Sequence, residues 1–383
     1  MTNFKKILPA AEEIIKKHDL CDNCLGRLFS KQLHLNSNKL LGEKIRRHFK
    51  SSSTKCYVCK NLLSNLNPYL NLMLDSSSNF EYTTMLVGAM IKPSIIDRDD
   101  HIRSKYKLRG IDSIKTDITK ELGKQFTRKT KKKIDFLDPE ITFTINFKDD
   151  TCSVRSKSIS LQGRYLKTQR GFAQKQKPCS NCSGKGCRVC NYHGISEFDS
   201  VEGKISEYLF SKFGGTTVKF TWVGGEDKSS LVLGSGRPFF AKIQNPFKRK
   251  VSIPKKIKID PVVILDCRLI RESPKSLPPF LSLVEIQVSA QNELDTNKLK
   301  KLKEIVKKPV VIYDKSGKRT EKQISSLRYK KTSKDGFSLT ILVEGGFPIK
   351  RFVESQDVNP SISQILGASC FCTQFDFSDV VLK

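Results

Sequence analysis

Lysines and arginines number 69 in this 383-residue chain, against 39 aspartates and glutamates. Within that basic background one acidic pair has unusual surroundings. Glu226 and Asp227 lie in GGEDKSSLVLGSGRPF, Gly224 to Phe239, bracketed by two glycine clusters and followed by Arg237-Pro-Phe. A phosphate cradle does not fit, because neither a P-loop nor a G-x-G-x-x-G before a helix is present. A plain hairpin fits locally, since Gly-Gly and Gly-Ser-Gly are turn material. A catalytic loop fits as well. A turn on a rigid sheet would present Asp227 as a carboxylate able to act as nucleophile or base, with Arg237 nearby. Only this last reading gives a reason for an acid and a base so close together.

Eight of the twelve cysteines form four C-x-x-C pairs. Cys21, Cys24, Cys56 and Cys59 make two pairs separated by a long helical insert. Such a set offers four thiolates in a tetrahedron, the arrangement zinc prefers. Cys179, Cys182, Cys187 and Cys190 are tighter, with Gly184 and Gly186 between the pairs to allow a sharp return. This cluster reads as a second closed, structural zinc site. A dithiol redox switch is its alternative and would need an exposed cysteine of depressed pKa. Neither cluster adds a histidine or carboxylate at ligand spacing, so neither has the form of an open catalytic metal site. Cys152, Cys267, Cys370 and Cys372 read as small buried hydrophobes.

Three regions must position these groups. Residues 1–172 form the first. It opens with an amphipathic helix and carries helical spacing between the cysteine pairs, with Leu40, Leu41, Ile45 and Phe49 on one side. EYTTMLVGAMI follows, as a strand or a helix start, and then the alternating strand ITFTINF. The region ends on a strand finishing in GRYLK. Residues 173–195 are the compact cysteine module. Residues 196–383 alternate helix and strand signals: a helix over FDSVEGKISEYLFSKFG, a helix over LDTNKLKKLKEIV capped by Asp295 or Thr296, and strands TTVKFTWVG, SLVLG, FFAKIQN, PVVILDCRLI, SLVEIQVSA, SSLRYKK and SLTILVEG. This predicts an α+β protein whose C-terminal domain has a mostly antiparallel sheet flanked by helices.

The net charge of +30 and pI near 9.7 point to a polyanion partner, most often nucleic acid. No apolar run approaches the ~18 residues of a spanning helix. The amino-terminal segment lacks a signal peptide's apolar core, so a cytoplasmic location with reduced thiols is expected. Basic residues interleaved with aromatics suit folded RNA. His101 to Arg109 is one such stretch, and Arg155 to Arg170, with Arg164, Tyr165 and Lys167, is another.

Taken together, GGEDKSSLVLGSGRPF, the paired C-x-x-C motifs, YTTMLVGAMI, GRYLK, RYKK, GGFPIKRF and NPSISQILG resemble, in order and over nearly the whole chain, the archaeal tRNA pseudouridine synthases of the TΨC arm, the Pus10 family. The resemblance implies a THUMP-containing, tRNA-binding region before a pseudouridine synthase domain. It also implies tRNA as partner, structural zinc, no redox or nucleotide cofactor, no small-molecule cosubstrate, no membrane partner and a monomer. It places the catalytic aspartate at Asp227, the active-site tyrosine at Tyr329 and a basic partner at Lys350. Ile349 would stand beside Lys350 at the substrate, with Phe375 as an apolar wall; the substrate contacts expected at Arg237, Arg164, Tyr165 and Lys167 come from the residues' own chemistry. Phe347-Pro348 stands where the family has Thr-Tyr, and Pro348 would remove a strand hydrogen bond. Phe375 stands where leucine is usual. A zinc-containing RNA-binding protein or chaperone without catalysis is the alternative reading.

Overall fold

The computed structural model describes residues 2–383 except 32, 34–36, 295, 315 and 355–356, and the expected cap at Asp295 lies outside the described residues. The chain forms two compact units, Met1–Lys157 and Ser158–Lys383. The division comes earlier than residue 172. The strand ending in GRYLK belongs to the second unit, because its partners are there. An alternating strand records which face is buried, not which sheet it joins.

The first unit begins with three helices: α1 (Thr2–Lys17), α2 (Asp22–Ser30) and α3 (Asn38–Phe49). Leu41 and Ile45 are buried as the spacing implies, whereas Leu40 is 66% exposed. After α4 (Asn67–Ser77), YTTMLVGAMI is a strand, β1 (Thr84–Met90). Then come α5 (Pro93–Lys105), α6 (Ile114–Thr130), β2 (Lys133–Ile134), β3 (Ile141–Asn146) and β4 (Thr151–Ser156). The sheet runs β2-β1-β3-β4. Met85, Val87 and Ala89 of β1 and Ile141, Phe143 and Ile145 of β3 point into the core. Buried Arg27 of α2 pairs with Asp99 of α5, whose carboxylate also caps Ile114 N at 3.1 Å. The cysteine-bearing helix is thereby tied to the α/β part.

The second unit contains β5 (Ile159–Lys167), α7 (Val201–Phe213), β6 (Val218–Trp222), β7 (Val232–Ile243), β8 (Lys256–Ile259), β9 (Val262–Ile270), β10 (Phe280–Ala290), α8 (Thr296–Lys300), β11 (Val310–Tyr313), β12 (Arg319–Lys322), β13 (Ile324–Lys331), β14 (Gly336–Glu344), α9 (Ile349–Glu354), β15 (Val358–Asn359), α10 (Ile362–Leu366) and β16 (Cys370–Leu382). Its main sheet is ordered β13-β14-β10-β16-β7-β5-β9-β8, with β6 also on β7. All its pairings are antiparallel except β16 with β7. The sheet is therefore mixed, and close to the expected one. The LDTNKLKKLKEIV helix is shorter than its pattern: α8 tightens into a 3₁₀ turn over Lys301–Lys307.

Two sequence-level expectations change here. SLVLG and FFAKIQN are one strand, β7. Gly234 and Gly236 bend it without turning it back. A Cβ at Gly234 would lie 1.9 Å from the Ser378 carbonyl oxygen. Pro348 is also not in a strand: Phe352 N donates to its carbonyl at 2.9 Å, at the entrance of α9. Proline is tolerated at a helix start, where its missing N–H leaves no bond unmade.

Candidate active site

β7 is paired with β6 along one half and meets β16 at Val232. The connection from β6 to β7 therefore emerges at the seam between two neighbours, and it carries Glu226 and Asp227. The hairpin reading is right as topology, and the loop still has room to present a side chain. Gly224 starts the excursion at φ +79°, and a Cβ there would stand 2.7 Å from the Phe280 ring and 2.8 Å from the Arg237 guanidinium. Only glycine allows that approach.

The two carboxylates face opposite ways. The Glu226 side chain is fully buried. Its Oε2 accepts from the Tyr165 hydroxyl at 2.7 Å and from Arg237 Nε at 3.3 Å, and Lys167 Nζ lies 3.2 Å from Oε1. Lys167 Nζ also donates to the Asp227 carbonyl at 3.0 Å and the Phe172 carbonyl at 2.9 Å. Gln174 donates to Tyr165 Oη at 2.9 Å and to the Gly224 carbonyl at 3.2 Å. Arg237 donates to the Val223 carbonyl and stacks on Phe377, 4.1 Å from the ring centroid. Burial pushes the Tyr165 phenol well above its ordinary range, with Glu226 adding to the effect. Burial lowers Lys167, and Glu226 opposes that shift. Such buried charges hold their geometry only while every partner is present.

Asp227 instead reaches solvent. Oδ2 accepts from Lys350 Nζ at 2.7 Å, while Oδ1 accepts from Ser229 N at 3.0 Å and Ser229 Oγ at 2.9 Å. These donors, Lys350 first, push its carboxyl down to about 2. Lys350 is raised in turn, chiefly by its bond to Asp227. The far side of the loop is pinned to β16. Asp376 accepts from Leu231 N and from both terminal nitrogens of Arg170, and Arg170 also donates to the Ser229 carbonyl. The site is thus a rigidly held, ionised carboxylate with a cation beside it.

Asp227 and Lys350, far apart in sequence, meet as expected. Ile349, beside Lys350, is buried. Phe375 precedes Asp376 on β16 but is only 8% exposed, edge-on to Phe377 at 5.8 Å. Tyr329 is not among the hydrogen-bond partners of Asp227. It lies on β13, in register with Leu339, Ile286 and Phe375 across successive strands. That is three strand spacings from Phe375, roughly 14 Å.

Arg237, Tyr165 and Lys167, expected to touch substrate, are at most 1% exposed; they hold the loop from beneath. Arg164 is also engaged. It donates to the Ser235 carbonyl at 2.6 Å and the Gly236 carbonyl at 2.7 Å, and also to the Val380 carbonyl, fastening the β7 bend to β16. Sequence reasoning missed Glu226 as the anchor, together with Gln174 and Asp376, and read Arg170 as an RNA contact where it pairs with Asp376. The signal for Glu226 was its place beside Asp227 in a glycine-bracketed turn; nothing in the sequence marked Asp376. A cavity of about 610 Å³ lined by Gln162, Arg164, Phe240, Lys255 and Arg268 includes no residue of this loop.

The two cysteine sets each bring four Sγ atoms within 4.8 Å of one another. Cys21 and Cys59 are 3.6 Å apart, Cys182 and Cys190 3.8 Å, and Cys187 and Cys190 3.7 Å. A tetrahedron with metal–sulfur bonds of about 2.3 Å has sulfur–sulfur edges of about 3.8 Å. Both donor sets fit a closed metal site.

Residues 69–146 match the family described as Pus10 THUMP domain, archaeal, and residues 160–263 the family described as Pus10, C-terminal. A tRNA pseudouridine synthase Pus10 from Nitrosopumilus maritimus (strain SCM1) is 60% identical over 383 residues, 100% of both chains. One from Cenarchaeum symbiosum (strain A) is 34% identical over 364 residues, 95% of this chain and 90% of that relative. A third, from Methanothermobacter marburgensis, is 29% identical over 384 residues, covering 94% and 95%.

Proposed function

The chain belongs to the Pus10 family of tRNA pseudouridine synthases, and on that premise we propose that it isomerises uridine to pseudouridine in the TΨC loop of tRNA, at position 54, 55 or both, with Asp227 as the catalytic carboxylate. The observation that carries the assignment of Asp227 is its state: ionised, solvent-reaching, and held by Lys350 and Ser229 on a loop braced from below.

The reaction breaks the N1–C1′ bond of uridine, turns the base and forms C5–C1′, while the C5 proton leaves and N1 regains one. A carboxylate that attacks C1′ or removes a sugar proton serves this chemistry, and Asp227 is available in the required ionised form. Lys350 keeps it so. Phe375, beside Asp376 on β16, is assigned on the resemblance as an apolar wall for a base taken out of its stack, with only a small part of it accessible. Tyr329, the tyrosine the resemblance assigns to the site, would act on the base rather than on Asp227, by stacking on it or assisting deprotonation at C5. Release of tritium to water from [5-³H]uridine-labelled tRNA, without added cofactor, tests the proposal. Release in proportion to product supports it; tRNA binding without release contradicts it.

The depressed carboxyl of Asp227 makes a pH prediction. Its folded value, about 2, lies below the unfolded value of about 3.9. The stabilisation from its partners is therefore present above pH ~4 and is lost as pH falls toward 2. Between pH 5 and 8, kcat/KM should show no ionisation from Asp227. In Lys350→Met the carboxyl moves up toward its ordinary range, so an acid limb should rise toward pH ~4 while kcat falls. An unchanged profile would show that Lys350 does not depress the carboxyl of Asp227.

Zinc is the metal we assign to both cysteine sets. When bound, it cross-links Cys21 and Cys24 of the α2 start to the Cys56–Cys59 turn, and closes Cys179–Cys190 on itself. Elemental analysis should give two zinc per chain. Cys24→Ser, at a fully buried ligand, should lose one zinc and unfold part of the first unit, because structural zinc contributes folding energy directly. Retention of both ions would contradict this.

A further inference from the structure

The reach of the second cysteine cluster goes beyond holding a metal. Between Ala173 and Ser196 the chain has Lys175, Lys177, Lys185 and Arg188 and no aspartate or glutamate. All four cations are exposed, and none forms an ion pair among the described residues. Two large apolar side chains stand out beside them: Val189 is 73% exposed and Tyr192 50%. Tyr192 is held in the left-handed region, φ +62°, which a bulky residue adopts only when its surroundings impose it. Here they do. The Cys187 and Cys190 carbonyls accept from Tyr192 N and His193 N at 2.8 Å each, and Cys179 N donates to the Gly194 carbonyl at 2.8 Å. The ring is therefore presented outward by a clamped backbone.

The knuckle is also fixed to the catalytic unit. His193 stacks on Phe210 of α7, centroids 3.8 Å apart, and its Nδ1 lies 3.0 Å from the Thr216 carbonyl oxygen. At its root, Gln174 is hydrogen-bonded to Tyr165 and Gly224, within the network beneath Asp227. An aromatic face with cations around it, on a rigid support continuous with the catalytic loop, matches what unpaired nucleotides require. The base stacks and the phosphates are neutralised.

We propose that this knuckle is a second contact for the RNA, in which Tyr192 stacks on an unpaired base while Lys185 and Arg188 neutralise phosphates. The inference rests on the functional reading above, in that the RNA is the same tRNA whose uridine reaches Asp227.

Binding of an unmodified tRNA transcript to the full-length, metal-containing protein tests it, by fluorescence anisotropy over a series of salt concentrations. Tyr192→Ala should weaken binding about tenfold, within the range for loss of one stacked base, with an unchanged salt slope. Tyr192→Phe, which keeps the ring, should restore it. Lys185→Ala with Arg188→Ala should instead reduce the slope of log K against log salt by about 1.5, the share of two phosphate contacts. Equal metal content in every variant checks that the knuckle is intact. Wild-type affinity in all variants, alongside normal tritium release by the parent protein, would overturn the knuckle contact and leave the functional reading standing. Failure of the parent protein to bind tRNA would overturn both.

Discussion

Asp227→Asn is expected to reduce pseudouridine formation by at least about 10⁴-fold, the scale of loss when a reacting group of a catalytic unit is removed, while tRNA binding stays within a few-fold of the parent. The amide keeps the size of the side chain and one acceptor oxygen, which can serve Lys350 or Ser229 but not both. What disappears is the negative charge and the ability to attack or deprotonate the sugar. Because Asp227 reaches solvent and is not part of a core, folding should be little affected. Single-turnover tritium release and anisotropy on the same preparations separate the two effects. Loss of binding together with activity would mean that Asp227 shapes the site without reacting in it.

The second large effect is on stability. Glu226→Ala should destabilise the second unit by about 3–5 kcal/mol, as removal of one partner from a buried ion pair does. It leaves Lys167 and Arg237, both at most 1% exposed, without their counter-charge. At ~2–4 °C per kcal/mol for a unit of this size, the melting temperature should fall by about 6–20 °C. Glu226→Gln keeps the shape and an acceptor for Tyr165 and should fall less. Both should lower kcat, since the loop backbone hangs from Lys167 through the Asp227 carbonyl. A melting temperature within a degree of the parent in Glu226→Ala would show that the buried network does not brace the loop.

Some parts of this site could be read from the sequence because their chemistry is tied to local spacing. The C-x-x-C pairs place two thiols on one side of a turn wherever the chain goes. Asp227 declared itself by being acidic among glycines in a basic protein. Its pairing with Lys350 came from family resemblance, since a contact across 123 residues leaves no local pattern. Other parts were misread for physical reasons. GRYLK looked like an RNA contact because it mixes basic and aromatic residues. Its Tyr165 and Lys167 are buried because Glu226, on another segment, supplies the counter-charge that makes burying Lys167 possible. The same blindness to partners put the domain boundary too late, since β5 shows its alternation but not its neighbours β7 and β9. Gly-Ser-Gly suggested a turn, yet Gly234 is there because the Ser378 carbonyl comes too close for any side chain. The difference between a carboxylate that reaches solvent and one that braces, one residue apart, appears only once burial is known.

The central claim is that this protein remakes uridine as pseudouridine in the TΨC loop through Asp227. The most direct measurement maps pseudouridine by carbodiimide-dependent stops in primer extension on an unmodified tRNA transcript, after incubation with purified protein alone. The account predicts a stop at position 54, 55 or both that is absent after incubation with Asp227→Asn. Tight tRNA binding with no stop from either protein would contradict it and leave a zinc-containing RNA-binding protein in place of an enzyme.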